Sequence, residues 1–177
     1  MKKRRFLQTS AVILGTVALS EFWPSQAKDS AATSAPVSNK DNGIHGNEAF
    51  EITKTEAEWR EILSPEAFAV LRQEATEPPH SSPLDDIFVA GTYSCAGCAL
   101  PLFSSETKFN SGTGWPSFYA PLENAVATSI DRSFLMTRTE VHCRRCGGHL
   151  GHVFEDGPKP TGLRYCMNGV AMSFTAA

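Results

Sequence analysis

The spacing of five cysteines restricts this chain more than any other feature of its sequence. They fall as Cys95-x-x-Cys98, then Cys143-x-x-Cys146, then Cys166 alone. Four sit in two paired turns and one is left over. Each turn bends the backbone so that both thiolates face one point, and Gly97 and Gly147 supply the freedom such turns use. Two such pairs suit a tetrahedral four-cysteine site, with Cys95, Cys98, Cys143 and Cys146 holding one structural Zn2+ per chain. Four bound thiolates leave a metal no open position for substrate, so chemistry has to sit elsewhere. Two disulfides are the competing reading, because export usually means an oxidising compartment. A third arrangement takes Cys143, Cys146, His149 and His152 at three-residue steps, and strands Cys95 and Cys98.

The first part of the chain reads as an export leader. Met1-Lys2-Lys3-Arg4-Arg5 is followed by an apolar stretch from Ala11 to Leu19 and a small-residue site at Ser25-Gln26-Ala27. The apolar stretch is shorter than the roughly 20 residues that span a membrane. Lys3-Arg4-Arg5-Phe6-Leu7-Gln8 resembles the twin-arginine export motif, with Lys3-Arg4 in the place of the arginine pair. A general secretory signal also begins with basic residues. The twin-arginine route suits a protein that acquires its metal and folds before export, and points to a bacterial periplasm. The expected organisation is a signal peptide at 1–27, a flexible linker at 28–47 rich in Ala, Ser, Asn and Asp, and one domain at 48–177. An ordered arm is the alternative for the linker.

Charge excludes one class of partner. Residues 1–27 hold four basic residues and one acidic, so the chain without them has a net charge of −6. A nucleic-acid binder needs the opposite sign to neutralise phosphates. A monomer is the default oligomeric state.

Within the domain, Thr55 and Glu58 form a capping box ahead of Trp59, Ile62 and Leu63. Ser64-Pro65 then opens a second short helix that buries Phe68 and Leu71, and Glu77-Pro78-Pro79 stops it. Strand patterns follow over Ile87–Tyr93, Ala125–Ile130, Phe134–His142, His149–Phe154 and Gly162–Met167, with Asp131-Arg132-Ser133 as a hairpin turn. No helical stretch is interleaved, so the expectation is a mainly β, antiparallel domain with its helices at the N-terminal end.

Cys166 lies in Gly162-Leu163-Arg164-Tyr165-Cys166-Met167-Asn168, on a late strand. Free cysteines are often small buried apolar residues, but Arg164, Cys166 and Asn168 alternate onto one strand face, which makes poor core. The Arg164 guanidinium favours a thiolate at Cys166. His149-Leu150-Gly151-His152-Val153-Phe154 offers two imidazoles, the side chain best suited to deliver a proton near neutral pH, although each histidine by itself is equally well a structural residue. The glycine-flanked loop Gly112-Thr113-Gly114-Trp115-Pro116-Ser117-Phe118 presents a tryptophan whose face suits methyl and sulfur groups, a buried core tryptophan being the alternative.

Taken in order, the two Cys-x-x-Cys pairs, Lys108 to Phe118, His149 to Phe154 and Arg164 to Asn168 resemble the B-type methionine sulfoxide reductases, over roughly Phe50 to Phe174. The resemblance implies a β-tent-like domain of two antiparallel sheets, with the four-cysteine zinc site remote from the active site. It implies that the enzyme reduces the R epimer of methionine sulfoxide, free or in oxidised proteins, as a repair activity under oxidative stress. Cys166 is then the catalytic thiol, assisted by His149, His152 and Asn168. Trp115 packs on the substrate methyl, Arg164 polarises the thiol, and Asp156 matches an acid near the second histidine. Thiolate attack would leave Cys166 as a sulfenic acid. Many relatives carry a resolving cysteine where this chain has Thr113. Regeneration is therefore expected from an external thiol, either a thioredoxin-like protein or a small molecule. The rival reading is a zinc-ribbon binding module without catalysis.

Overall fold

In a computed structural model of the chain, residues 50–177 are described. The expected signal peptide, the linker, and Glu48 and Ala49 of the expected domain lie outside them. The described part begins with the two capped helices. The Thr55 hydroxyl accepts from the Glu58 N–H at 3.3 Å and the Glu58 carboxylate accepts from the Thr55 N–H at 2.7 Å, opening α1 (Glu56–Ile62). A cap of this kind stabilises by about 1 kcal/mol. Ser64 caps Ala67 at 3.1 Å and Pro65 takes the first position of α2 (Pro65–Gln73). That helix ends where Glu74 turns left-handed, φ 56°, three residues before Glu77-Pro78-Pro79. The prolines lie beyond the stop and do not make it. Trp59, Leu63, Phe68 and Leu71 are buried, while Ile62 faces outward.

The remainder is antiparallel β. The strands are β1 (Gly91–Cys95), β2 (Pro101–Ser104), β3 (Lys108–Phe109), β4 (Ser117–Phe118), β5 (Val126–Asp131), β6 (Arg138–Cys143), β7 (His149–Phe154), β8 (Arg164–Met167) and β9 (Met172–Ala176). They form a three-stranded sheet in the order β2-β1-β9 and a six-stranded sheet in the order β3-β4-β8-β7-β6-β5. An antiparallel β domain with its helices at the N-terminal end matches the expectation from the pattern, and the two sheets match what the resemblance implies.

The strand limits differ in places. The first strand starts at Gly91 rather than Ile87. The link between β5 and β6 is longer than a hairpin turn: a 3-10 turn at Ser133–Leu135 delays β6 to Arg138. Strands β2, β3 and β4 carry no alternation long enough to read, two of them having only two residues, whereas the Met-Ser-Phe-Thr alternation of β9 is a signal that the sequence reading did not use.

An aromatic cluster joins the sheets. Phe103 of β2 stacks on Phe118 of β4 with ring centroids 4.4 Å apart, and Tyr93 of β1 meets Phe118 edge-on at 4.9 Å. All three are fully buried, and such ring pairs contribute about 0.5–1.5 kcal/mol beyond their area. This core holds β4, and with it β8, at a set distance from the smaller sheet.

Candidate active site and metal centre

The two Cys-x-x-Cys turns come together from different sheets. Cys95 ends β1 and Cys98 lies in the turn to β2, whereas Cys143 ends β6 and Cys146 lies in the turn to β7. Their four sulfurs lie within 4.8 Å of one another. Cys95 Sγ is 3.7 Å from Cys146 Sγ and Cys98 Sγ is 3.5 Å from Cys143 Sγ. Four thiolates placed tetrahedrally about 2.3 Å from one metal are about 3.8 Å apart, so the set fits a metal ion. A disulfide needs about 2.05 Å, and all five cysteines are free. The mixed arrangement with histidines is also ruled out, because His149 and His152 are engaged by carboxylates elsewhere. The helices close over this knot: Arg72 Nη1 donates to the Cys146 carbonyl at 3.1 Å, and Leu71 packs where a Cβ on Gly148 would lie.

The lone cysteine is the centre of a second constellation. Directly opposite residues of an antiparallel pair project on one face, and the register of the large sheet lines up Phe109, Ser117, Cys166, His152, Glu140 and Ser129 across all six strands. His152 therefore faces Cys166 from the neighbouring strand, with Glu140 beyond it. His149 joins this face through a bulge, since β6 pairs Val141 with Gly151 and His142 with His149 and leaves Leu150 over. The two imidazoles stand with centroids 5.4 Å apart. Gly151 makes the bulge possible. It has φ 156°, and a Cβ there would lie 2.1 Å from the Cys166 carbonyl.

Each histidine is held by an acid that sequence reading does not assign. His149 Nδ1 is 2.8 Å from Glu140 Oε1, and its Nε2 is buried without a hydrogen-bond partner among the described residues. His152 Nε2 is 2.8 Å from Asp131 Oδ2. Burial acts to raise Asp131, but hydrogen bonds from Ser133 and His152 and the charge of Arg138 hold its carboxyl well below the usual range. Burial lowers His152, against the pull of Asp131, so its ring is neutral near pH 7. With Asp131 ionised, His152 Nε2 carries the shared proton and Nδ1 is its acceptor. In the sequence Asp131 reads only as part of a turn. The signal that finds it is pairing register, since it lies opposite Arg138, which donates to it at 2.6 Å.

Cys166 is half-buried. It lines a pocket of about 150 Å3 with Thr76, Trp115, Arg138, His152 and Asn168. Burial pushes its thiol up, while the Arg164 charge and hydrogen bonds from Thr113 and Arg164 pull it back. The resting group is therefore a thiol, not the thiolate that Arg164 alone suggests. Arg164 Nε and Nη2 donate to the two oxygens of Asp156 at 2.8 and 2.9 Å, and the guanidinium stacks over Phe154 at 4.5 Å. Asp156 is the partner of Arg164, and the acid hydrogen-bonded to the second histidine is Asp131.

Asn168 follows β8 and is buried. Its backbone N–H and side-chain Nδ2 both donate to the Leu150 carbonyl, at 2.8 and 3.0 Å, and its Oδ1 accepts from the Glu77 N–H at 2.9 Å. Glu77 in turn accepts the Trp115 indole N–H on its carbonyl at 3.1 Å, and its carboxylate accepts from the N–H groups of Gly169 and Val170. Glu77 thus ties the tryptophan to the residue that follows β8, a role that its position before two prolines does not disclose. Thr113 Oγ1 is 4.0 Å from Cys166 Sγ and hydrogen-bonds Ser111, which bonds Ser117.

Fold and pocket together define a class: a mainly β thiol enzyme whose lone cysteine is segregated from a four-cysteine metal knot. Residues 63–176 match the family model described as the SelR domain. The chain is 54% identical over 126 residues to the peptide methionine sulfoxide reductase MsrB of Methanosarcina mazei, covering 71% of this chain and 90% of the relative. Proteins of the same name match at 50% over 125 residues in Agrobacterium fabrum (70% and 93% covered) and 54% over 125 residues in Pseudomonas putida (70% and 94%). The chain belongs to the SelR-domain family of B-type methionine sulfoxide reductases.

Proposed function

We propose that this protein reduces methionine (R)-sulfoxide to methionine with Cys166 as nucleophile. The observation that carries the assignment is the cross-strand pair of Cys166 and His152 inside one pocket, with Asp131 behind the imidazole. In the resting site the proton is on sulfur and the ring is neutral. The Cys166 sulfur attacks the sulfoxide sulfur while its proton passes by way of His152 to the sulfoxide oxygen. Asp131 steadies the ring while it is cationic. The oxygen then transfers to Cys166, the substrate sulfur leaves with two fewer oxidation equivalents as a thioether, and Cys166 becomes a sulfenic acid. Trp115 bounds the pocket on the side where the methyl group packs. His149, fixed by Glu140, stands behind His152 with ring centroids 5.4 Å apart and acts through that ring rather than from the pocket wall. Asn168 acts on the reaction by holding the bulge that carries both histidines.

Regeneration is by an external thiol. No cysteine other than the metal-site four accompanies Cys166, so a thiol, small or carried by a thioredoxin-like protein, attacks the sulfenic sulfur, expels water and forms a mixed disulfide that a second thiol resolves. The four-cysteine site holds one zinc ion, the metal that four thiolates at this spacing suit, and zinc there contributes folding free energy. A non-catalytic zinc module is not favoured, since it leaves a half-buried thiol and two acid-held imidazoles without a role.

The export reading is also part of the proposal: a twin-arginine signal at 1–27 cleaved after Ala27, a linker at 28–47, and a periplasmic domain from 48. The basic start, apolar stretch and Ser25-Gln26-Ala27 site support it. Continued export when twin-arginine translocation is blocked overturns that route.

The decisive test is a single-turnover assay on separated sulfoxide epimers. The R epimer is consumed, the S epimer is not, and Cys166→Ser abolishes turnover while retaining one equivalent of zinc. Consumption of the S epimer alone, or residual activity above a few per cent, overturns the assignment.

A further inference from the structure

Next to the catalytic pocket lies a much larger cavity whose use the reaction does not explain. It measures about 670 Å3 and runs between α2, the segment from Ala75 to Leu84, and the turn before β9. Its walls are mostly apolar, with Val70, Ala75, Leu84, Val170 and Met172 contributing side chains. Thr76 belongs to the lining of both this groove and the pocket that holds Cys166, so one residue's width separates them.

The two cavities differ in what they can accept. The catalytic pocket, about 150 Å3, suits the methyl, sulfur and oxygen of one side chain. Among the described residues no carboxylate lines it to pair with the ammonium group of a free amino acid, and Arg138, the one cationic residue there, is already bound to Asp131. The groove has room for a further large side chain. In an extended peptide, side chains two positions apart project on the same side, about 6.6 Å apart along the chain. That step carries the chain across the width of Thr76.

We propose that the groove is a substrate subsite for a large apolar side chain two residues from the oxidised methionine, so that protein segments with an apolar residue at that spacing are the preferred substrates. This inference rests on the sulfoxide reductase reading and adds to it where the rest of the substrate lies. Apolar groups that a protein keeps next to a methionine in its own core take that place once the segment is exposed. A hydrophobic pocket typically discriminates between a filled and an unfilled state by about tenfold or more.

The test uses the full chain and blocked peptides bearing methionine (R)-sulfoxide, with leucine, phenylalanine, aspartate or glycine placed two residues before or after it. At one of the two positions, kcat/KM for the leucine and phenylalanine peptides is expected to exceed the glycine value by about tenfold, with the aspartate peptide at or below glycine. Leu84→Lys, which puts a charge in the groove, and Ala75→Trp, which fills it, are each expected to bring the leucine-to-glycine ratio close to one. Equal values for all peptides at both positions in the unaltered protein overturn the subsite. So does a ratio that persists in either variant with its zinc retained. Where a variant fails to fold, the ratio in the unaltered protein decides alone. Failure to reduce even the glycine peptide overturns the reductase reading itself, which separates the two outcomes.

Discussion

The Leu150 carbonyl accepts two hydrogen bonds from Asn168, one from the backbone at 2.8 Å and one from the side-chain amide at 3.0 Å. Leu150 is the residue that the bulge leaves over, so Asn168 satisfies the carbonyl that the ladder abandons and pins the histidines on either side of it. Asn168→Ala removes one of those bonds and the acceptor of the Glu77 N–H. A loss of about 2 kcal/mol is expected in urea unfolding, from a buried donor left unsatisfied. Activity is expected to fall with it, kcat more than KM, because the imidazoles lose their anchor while Glu77, and through it Trp115, stays held by the Gly169 and Val170 N–H groups.

The pH profile follows from His152. Its pKa is held below the ordinary 6.5 by burial, and the neutral ring is the form that accepts the thiol proton. As pH falls through that lowered pKa, kcat/KM falls, and the midpoint lies below 6.5. Asp131 pulls His152 upward, so Asp131→Asn is expected to shift the acid limb to still lower pH and to reduce the plateau by about 10²-fold, the usual scale of general acid–base assistance. A pH–rate series on the variant checks both, and an acid limb displaced upward contradicts the role.

Metal removal tests the knot. The four thiols join the ends of β1 and β6, one from each sheet, and the helices pack over them. Loss of zinc, by chelation or in Cys95→Ser, is expected to unfold the domain at 25 °C, since a structural zinc site contributes free energy comparable with the roughly 5–15 kcal/mol total stability of a domain. Metal analysis with circular dichroism reads the outcome.

Thr113 stands where a resolving thiol is within reach. Its hydroxyl is 4.0 Å from Cys166 Sγ, and Gly112 and Gly114 flank it with φ of 72° and 87°. Thr113→Cys is expected to give one intramolecular disulfide per turnover by mass spectrometry. A sulfenic-acid reagent that traps Cys166 in the unaltered protein is then expected to lose most of its yield.

Much of this is legible without the structure. The Thr55–Glu58 box and Ser64-Pro65 locate both helices, because capping is a contact between residues three apart. The Cys-x-x-Cys turns announce a site able to hold a metal, because ligand spacing within a turn is also local. Strands β5 to β8 show as short runs between turn residues, although turns such as that at Ser133–Leu135 move their ends. The two-residue strands β3 and β4 leave no pattern, yet β4 supplies Ser117 beside Cys166 and Phe118 in the core.

The sequence by itself determined which groups this protein can use: one thiol outside the paired turns, two imidazoles three residues apart, and a tryptophan directly after a Gly-Thr-Gly stretch. The tertiary structure decided how they are wired. Asp131 rather than Asp156 stands behind His152, Glu140 behind His149, and Glu77 joins Trp115 to Asn168. The physical reason is that such pairings are made across strands and through a bulge. Their partners are chosen by sheet register, a property of how distant segments pack and not of any one segment's residues.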